Sequence, residues 1–557
     1  MIYLLAEPGR VRRLAGPEFD ASDKGVGGIK AGQDKVRPRY SHGNPLMIEA
    51  YNLGALFDPE LGADRVALID CRDWKRPREY THRQIDKLAN ACARGLLARS
   101  LERGDSVAVL SANRAEYLIA YFGILRAGLV AVLINHKLPA ETIAFILKDA
   151  GVGYVLCDAA RRGDLPSDVA ILDFDAADGD GFEALLDPGS FEAVRPTDDE
   201  VAMVLYTSGS TGRPKGVPLA HAGHLWVLRA RTRRGWPFTH HRLLVAAPLY
   251  HMNALCTSLF ALGTSACEIL LPEFDARRWL QSIERFGCTW VTSVPAMLAM
   301  ALREVDVLSR LDVSTVEKVR MGSAPVSRKL LDEVKETFPG ADVVNVYGTT
   351  EAGPMVFGSR PGKVVPDLSV GWPIPEVEVK LVGADGTEGD EGVLWQRMPA
   401  TMSEYLNLPE RTQEVLTEDG WYISWDIFRL DADGAYYFVG RADDMFVCGG
   451  ENIYPSEVET ILESHPEIAQ ACVVPVPDDI KGEKPVAYVV RSKGAAIGED
   501  EVKRFALAKA PAYQHPRMVL FANALPLAGP GKIDRKTLVA EARRLWAAQA
   551  QAGAVEG

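Results

Sequence analysis

Short runs of apolar, β-branched residues alternate with amphipathic stretches over most of the chain. Residues 106–110 (Ser-Val-Ala-Val-Leu) read as a strand, and 115–126 as a helix with Leu118, Tyr121, Phe122 and Leu125 at helical spacing. Residues 130–134 read as the next strand, and that order is a βαβ unit, which requires a parallel sheet. The alternation returns in 243–247, 290–293, 319–321 and 343–346, strand candidates separated by helices. Between 375 and 440 the helical spacing disappears. There 376–382, 392–396 and 435–439 read as antiparallel strands, with turns at Asp385-Gly386 and Asp433-Gly434. Beyond Arg441 the pattern is mixed on a smaller scale, with helices over 455–464 and 500–509 and strands over 469–476 and 485–491.

The chain has 557 residues, 47% of them apolar and 25% charged, values that exclude disorder, collagen-like repeats and a disulfide-stapled miniprotein. Four segments are expected: an N-terminal arm (1–45) to which no function is assigned, a large domain (46–440), a small C-terminal domain (441–545) and a tail (546–557). The net charge of −13 argues against nucleic acid or a membrane surface as the main partner. Anionic substrates must therefore be met by local basic groups and backbone N–H groups. The eight cysteines form no CxxC pair and no zinc-finger spacing, so buried free thiols in a reducing compartment are expected. Residues 1–6 are too short an apolar run for a signal peptide, and no apolar stretch is long enough to span a bilayer. A cytoplasmic protein is the expectation, with a homodimer as the assembly to test.

The strongest local chemistry lies in Tyr206-Thr207-Ser208-Gly209-Ser210-Thr211-Gly212-Arg213-Pro214-Lys215-Gly216, after an apolar strand over 201–205 and before a helix beginning near His221. Glycines let backbone N–H groups turn toward an anion, while hydroxyls and Lys215 add donors and charge: a polyphosphate-cradling loop. Its spacing is not that of a P-loop, because no glycine precedes Lys215 and no Ser or Thr follows it. Tyr347-Gly348-Thr349-Thr350-Glu351-Ala352-Gly353 also follows an apolar strand and joins an aromatic ring, hydroxyls and a carboxylate. Singly, Asp426, Arg441, Lys532 and His251 read as ordinary surface or packed residues.

Five segments in one chain, 206–216, 347–353, 420–426, 440–459 and 529–535, occur in an order that resembles the adenylate-forming enzymes: acyl-CoA synthetases, adenylation domains of peptide synthetases and firefly-type luciferases. The resemblance covers about residues 45–545. Gly440-Arg441-Ala442-Asp443-Asp444-Met445 and the following Cys448-Gly449-Gly450-Glu451 look most like acyl- and aryl-CoA ligases of the chlorobenzoate and coumarate type. The fold implied is α/β: a large N-terminal domain of layered α/β sheets plus a small β-barrel-like part, with a small mobile α+β C-terminal domain. The implied activity joins a carboxylic acid to coenzyme A through an acyl-adenylate, using ATP and Mg²⁺. Delivery to a carrier protein, or a nucleotide-binding sensor that has lost catalysis, stand as alternatives.

Residue by residue, the resemblance implies that Thr207, Ser208, Gly209, Ser210, Thr211, Gly212 and Lys215 hold the β- and γ-phosphates. Gly322, Ser323, Ala324 and Pro325, with Tyr347, Gly348 and Thr349, form the adenine slot, and Tyr347 stacks on the base. Thr350 touches the α-phosphate, Glu351 binds Mg²⁺, and Asp426 with Arg441 holds the ribose. His251 stands at the mouth of the acyl pocket, Asp443 at the hinge between domains, Gly449 and Gly450 along the pantetheine channel, and Lys532 is the catalytic lysine. The acid is expected to lie among Met252, Asn253, Leu255, Met321, Gly353 and Met355, with Gly348 and Gly353 leaving room and Asn253 either meeting a polar substituent or capping the next helix. An aromatic or medium-length apolar acid is expected. A small dicarboxylate is not, because no arginine is seen committed to a second carboxylate.

Two departures stand out. Ser424-Trp425-Asp426 replaces the usual Thr-Gly-Asp, and Trp425 is expected to pack against a neighbouring strand. Leu527-Ala528 stands where Arg-Thr is common, but Gly531 and Lys532 are intact. If Lys532 acts as a transition-state donor, Lys532→Ala lowers the adenylation rate on the order of 10²–10³-fold, measured by acid-dependent pyrophosphate exchange into ATP.

Overall fold

The computed structural model describes residues 50–57, 62–177, 179, 181–207, 213–233, 238–478, 480–528 and 533–555. The N-terminal arm, Ser208 to Gly212 and Lys532 therefore lie outside the described residues. The chain is a mixed α/β protein in which a large N-terminal part of sheets and helices precedes a smaller C-terminal part.

Two sheets dominate the large part. One runs Asp342–Val346, Lys318–Gly322, Trp290–Ser293, Arg242–Val245, Cys267–Leu270, Val66–Asp70 and Arg78–Thr81, parallel except for the last pair. The other runs Ala170–Asp173, Val152–Cys157, Ser106–Leu110, Val130–Leu133, Val201–Thr207 and Lys215–Ala220, again with only the last pair antiparallel. The expected βαβ unit is present, with strand Ser106–Leu110, helix Ala115–Arg126 and strand Val130–Leu133. That helix is buried all round, which its apolar stripe alone did not require. Its one basic terminus, Arg126, is satisfied by Gly54 O (2.6 Å), Asn90 Oδ1 (2.6 Å) and Asp86 Oδ1 (2.7 Å).

Residues 215–220 depart from the sequence reading. The segment expected as loop running on to a helix is a strand, Lys215–Ala220, paired with Val201–Thr207 so that Thr207 stands opposite Lys215. Its Pro218 and Gly216 disguise it. It is an edge strand, where a missing N–H is tolerated. Thr207 and Lys215 of the phosphate-loop candidate thus lie on paired antiparallel strands, Ser208 to Gly212 fall outside the described residues, and the helix His221–Thr232 starts after the second strand.

The region expected to be barrel-like is a four-stranded antiparallel sheet, Glu378–Val382, Glu391–Arg397, Tyr422–Leu430 and Tyr436–Arg441. In the C-terminal part, Ile468–Asp478 and Gly482–Arg491 are long paired strands whose side chains alternate between two cores. Ala471, Val473, Ala487 and Val489 feed one, and Cys472, Val474, Val486 and Tyr488 the other. All eight cysteines are free and buried. No helix among the described residues is long and apolar enough to cross a membrane.

Glu268, on strand Cys267–Leu270, is wholly buried, and burial pushes its carboxyl up to about 8. Ser258 Oγ lies 2.8 Å from Glu268 Oε1 and 3.2 Å from Ala254 O. A protonated Glu268 donating to Ser258, which in turn donates to Ala254, satisfies both contacts. A carboxyl raised in the folded state binds its proton there across a window from the ordinary glutamate range up to about pH 8. Stability from this group is full below that window and is lost as pH rises through it, by at most about 1.4 kcal/mol per unit. Glu268→Gln should therefore raise the melting temperature more at pH 8 than at pH 5, read by thermal denaturation at both values.

Candidate active site

The candidate residues gather at the carboxyl ends of the parallel strands, where α/β sheets bind ligands. Strands Lys318–Gly322 and Asp342–Val346 pair in parallel, with Gly322 beside Val346. Their outgoing loops, 323–325 and 347–353, are therefore neighbours. A Cβ at Gly322 would lie 2.6 Å from Val346 Cγ2, so the close approach of the two strands requires glycine. His251 follows strand Arg242–Val245, two places along the sheet from Lys318–Gly322, and is the N-cap residue of helix Met252–Gly263. Asn253 is therefore inside the helix and does not cap it. Its Nδ2 donates to Ser323 Oγ at 3.4 Å, tying the helix to the loop.

Loop 347–353 folds back on itself through paired bonds, Thr349 N to Gly353 O and Gly353 N to Thr349 O, each 3.0 Å. Gly353 has φ +114°, and a Cβ there would meet Ala400 at 2.9 Å; one at Gly348 would lie 2.4 Å from the Pro354 backbone. The expectation that these two glycines leave room for the acid is corrected: protein fills the space. Leu255 and Met321 are fully buried in the main core, Met252 nearly so, and Met355 is half-buried against it.

Two chains of contacts converge here. In the first, the Tyr347 hydroxyl donates to Asp426 Oδ2 at 2.6 Å, and Arg441 Nη1 donates to Asp426 Oδ1 at 3.0 Å. Arg441 continues to Asp443 through Nε and Nη2, at 2.7 and 3.1 Å. The Tyr347 ring meets Phe428 edge-on at 4.8 Å. In the second, the Lys215 ammonium sits 4.0 Å over the Tyr405 ring, whose hydroxyl donates to Glu351 Oε1 at 2.9 Å. Burial, with Arg411 and Arg441 nearby, holds the Lys215 amine below its ordinary range, while Glu351 opposes that. Glu351 Oε2 has no hydrogen bond among the described residues. Thr207 Oγ1 is buried without a hydrogen-bond partner among the described residues, a donor left for an incoming group.

Asp426 is aimed by a bulge. Val393 pairs with Ile427 and Trp395 with Ile423, so residues 424–426 stand opposite Leu394 alone. Ser424 Oγ donates to Leu394 O at 2.8 Å and accepts from Asp426 N at 3.0 Å, replacing lost ladder bonds. Trp425 at the crest has φ +59° and is 45% exposed. The packing expected of it is not found. The bulge needs a left-handed residue, which accounts for the glycine of the resembling enzymes, and a tryptophan there costs about 1 kcal/mol of backbone strain.

Gly449 and Gly450 form the two-residue turn between Phe446–Cys448 and Glu451–Ile453, with φ +65° and +91°, as such a hairpin demands. A Cβ at Gly450 would meet nothing within 4 Å. The base of the Lys532 loop is closed by the bridge between Leu527 and Ile533, and Arg535 is anchored by Glu459 at 2.8 Å. A separate group, His240, His241 and Glu317, has ligand atoms within 4.8 Å of one another, but it lies at the opposite ends of the strands.

Sequence reasoning missed two residues. Arg320 sits inside strand Lys318–Gly322, and Arg231 near the end of helix His221–Thr232. Neither has a carboxylate in ion-pair contact among the described residues. The missed signal was a charged residue between Val319 and Met321, within an interior parallel strand.

Comparison with known proteins agrees with this geometry. The AMP-binding enzyme family model matches residues 59–406, and the AMP-binding enzyme C-terminal domain model matches 457–532. A fatty acid–[acyl-carrier-protein] ligase of Streptomyces coeruleorubidus is 32% identical over 486 residues, covering 83% of this chain and 91% of that protein. A 4-coumarate–CoA ligase of Nicotiana tabacum is 30% identical, covering 83% and 89%. The crystal structure of an anthranilate CoA ligase in complex with anthranoyl-AMP superposes with TM-score 0.80 at 27% identity, covering 90% of this chain and 99% of that one.

Removing the Tyr347 hydroxyl deprives Asp426 of a short charge-assisted bond. Tyr347→Phe should weaken ATP binding on the order of tenfold, measured by titration calorimetry.

Proposed function

The chain belongs to the AMP-binding enzyme family, and on that premise we propose how its residues run an AMP-forming acid–thiol ligase. The observation that carries the reading is the convergence of Tyr347–Asp426–Arg441 and Lys215–Tyr405–Glu351 on one loop, 347–353, which supplies both Tyr347 and Glu351. Asp426 accepts from the ribose hydroxyls, its own position held by Tyr347 and Arg441. Lys215, Thr207 and the residues between them receive the terminal phosphates, and Thr350 meets the α-phosphate. Glu351, which Tyr405 engages through one oxygen only, would hold Mg²⁺, and that ion would supply neutralisation of phosphate charge.

A carboxylate attacks the α-phosphorus of ATP and pyrophosphate leaves, giving an acyl-adenylate. Both reactants are anions, so positioning and charge neutralisation by Lys215 and Lys532 are what the protein contributes. A thiol then attacks the acyl carbon and AMP leaves. The acyl carbon cannot be approached by Lys532 and by the thiol from one side at once. Asp443, clamped by Arg441, is the point about which the C-terminal part turns between the two steps.

Coenzyme A is the acceptor favoured, since the 4-coumarate relative and the anthranilate neighbour are both CoA ligases. A carrier-protein thiol is the second reading, because the Streptomyces relative is an acyl-carrier-protein ligase. The test is to incubate the protein with ATP, Mg²⁺ and a panel of aryl, arylpropenoic and fatty acids, offering CoA or a phosphopantetheinylated carrier. AMP, acyl-adenylate and thioester are followed by mass spectrometry. Acyl-CoA with AMP in equal amounts is the expected result. Thioester on the carrier alone moves the assignment to the second reading. Nucleotide binding with no AMP from any acid overturns both.

A further inference from the structure

Strand Lys318–Gly322 carries a side-chain alternation that the nucleotide site does not use. Val319 and Met321 face the core with no exposed surface, so Lys318, Arg320 and Gly322 share the other face. Arg320 is thus one pleat repeat, about 7 Å, below Gly322 and the loop that carries Ser323. Its register partners on this face are Thr292 on one side and Val344 on the other.

Helix Met252–Gly263 lies over this face. At its top, Asn253 reaches Ser323 at 3.4 Å; two turns on, Phe260 meets the Trp290 ring at 5.6 Å. Between them, Cys256 lies 3.6 Å from Arg231 Nη1. The Arg231 guanidinium stacks 4.0 Å over Phe260 and 5.8 Å from Trp290, and that of Arg320 lies 5.7 Å from the same Trp290. Arg231 and Arg320 are therefore drawn together around Cys256 and Trp290, below the loop on which Asn253 meets Ser323.

The arginines are not accounted for as structural ion pairs. Both are only half-buried, so part of each remains accessible. Ring contacts engage the faces of a guanidinium and leave its in-plane N–H fork free. For that fork Arg231 has only the weak sulfur acceptor of Cys256, and Arg320 has no hydrogen-bond acceptor among the described residues. The nearest acid on the strand face, Asp342, lies at the far end beside Lys318 (3.8 Å) and only weakly supports Arg320. Burial and the neighbouring Arg231 push the Arg320 guanidinium down to about 9. Two like charges held together with open donor forks suit an anion.

We propose that Arg231 and Arg320 bind a second anionic group on the acid substrate, so that this ligase activates dianionic acids of aromatic size or similar length. This rests on the acid–thiol ligase reading above. The reacting carboxylate of the acid stays near Ser323, and its distal carboxylate takes the two forks. An apolar acid of the same shape would leave both guanidinium groups desolvated and unanswered, which is the basis of the discrimination.

The test uses matched pairs: benzoate against terephthalate, and hexanoate against adipate. For each acid, binding is read by calorimetry with the full-length protein, and acyl-CoA or carrier thioester formation is read separately. The expected result is a kcat/KM for the diacid on the order of 10²-fold above its monoacid partner. In Arg320→Met that ratio falls toward one, while Arg277→Met, at an exposed ion pair elsewhere, leaves it unchanged. The wild-type ratio alone decides the matter if Arg320→Met does not fold. A monoacid used as well as or better than its diacid overturns the proposal and leaves the ligase reading standing. Diacid binding that Arg320→Met abolishes, without AMP from any acid, keeps the arginine receptor and sinks the ligase reading. No binding or turnover of any diacid overturns the proposal.

Discussion

One carboxylate ties the molecule's working parts together. Asp426 receives the Tyr347 hydroxyl from the loop of the large parallel sheet and the Arg441 guanidinium from the last strand of the antiparallel sheet. Arg441 passes the linkage on to Asp443, where the C-terminal part begins. The bulge at 424–426 exists in a form that points Asp426 into this junction, and it holds Trp425 in a left-handed conformation that a bulky residue adopts only at a cost. Because the same arginine meets both carboxylates, occupancy beside Asp426 and the position of Asp443 share one network and are not independent variables.

The parallel strands were legible in the sequence because a strand buried on both faces reads as a continuous apolar run, and the intervening helices reset the pattern. Strand Ser106–Leu110 and helix Ala115–Arg126 have the bounds the periodicity gives them. The edge strand Lys215–Ala220 was not legible, since Gly216 and Pro218 are turn signals everywhere except at a sheet edge, and edge position is a tertiary fact. The site motifs were legible as chemistry, yet not their mutual contacts. That Tyr405 would bridge Lys215 to Glu351 depends on a residue that no motif singled out. Trp425 was misjudged because its exposure follows from the bulge, and a bulge is visible only once strands are paired. Arg320 went unremarked because three residues of an interior strand were read for their apolar members alone.

The charge balance has a local logic. A chain with net charge −13 handles anions by confining its cations to desolvated positions, where each charge acts at short range through a lower effective dielectric. Lys215 over Tyr405 and Arg320 with Arg231 against Trp290 follow that pattern. Aromatic faces do much of the holding, leaving N–H donors for whatever binds.

The buried cysteines carry a consequence of another kind. An enzyme that hands acyl groups to a thiol works in solutions of its acceptor, some of it always oxidised to disulfide. Exchange with such a disulfide needs an accessible thiolate on the protein. Here every cysteine is buried, and burial raises the thiol pKa of Cys71, Cys92, Cys157, Cys267, Cys288 and Cys472. The folded chain is therefore chemically silent toward its own acceptor's oxidised form: it accumulates no mixed disulfides as the thiol pool ages, and needs no reductant to stay in one covalent state.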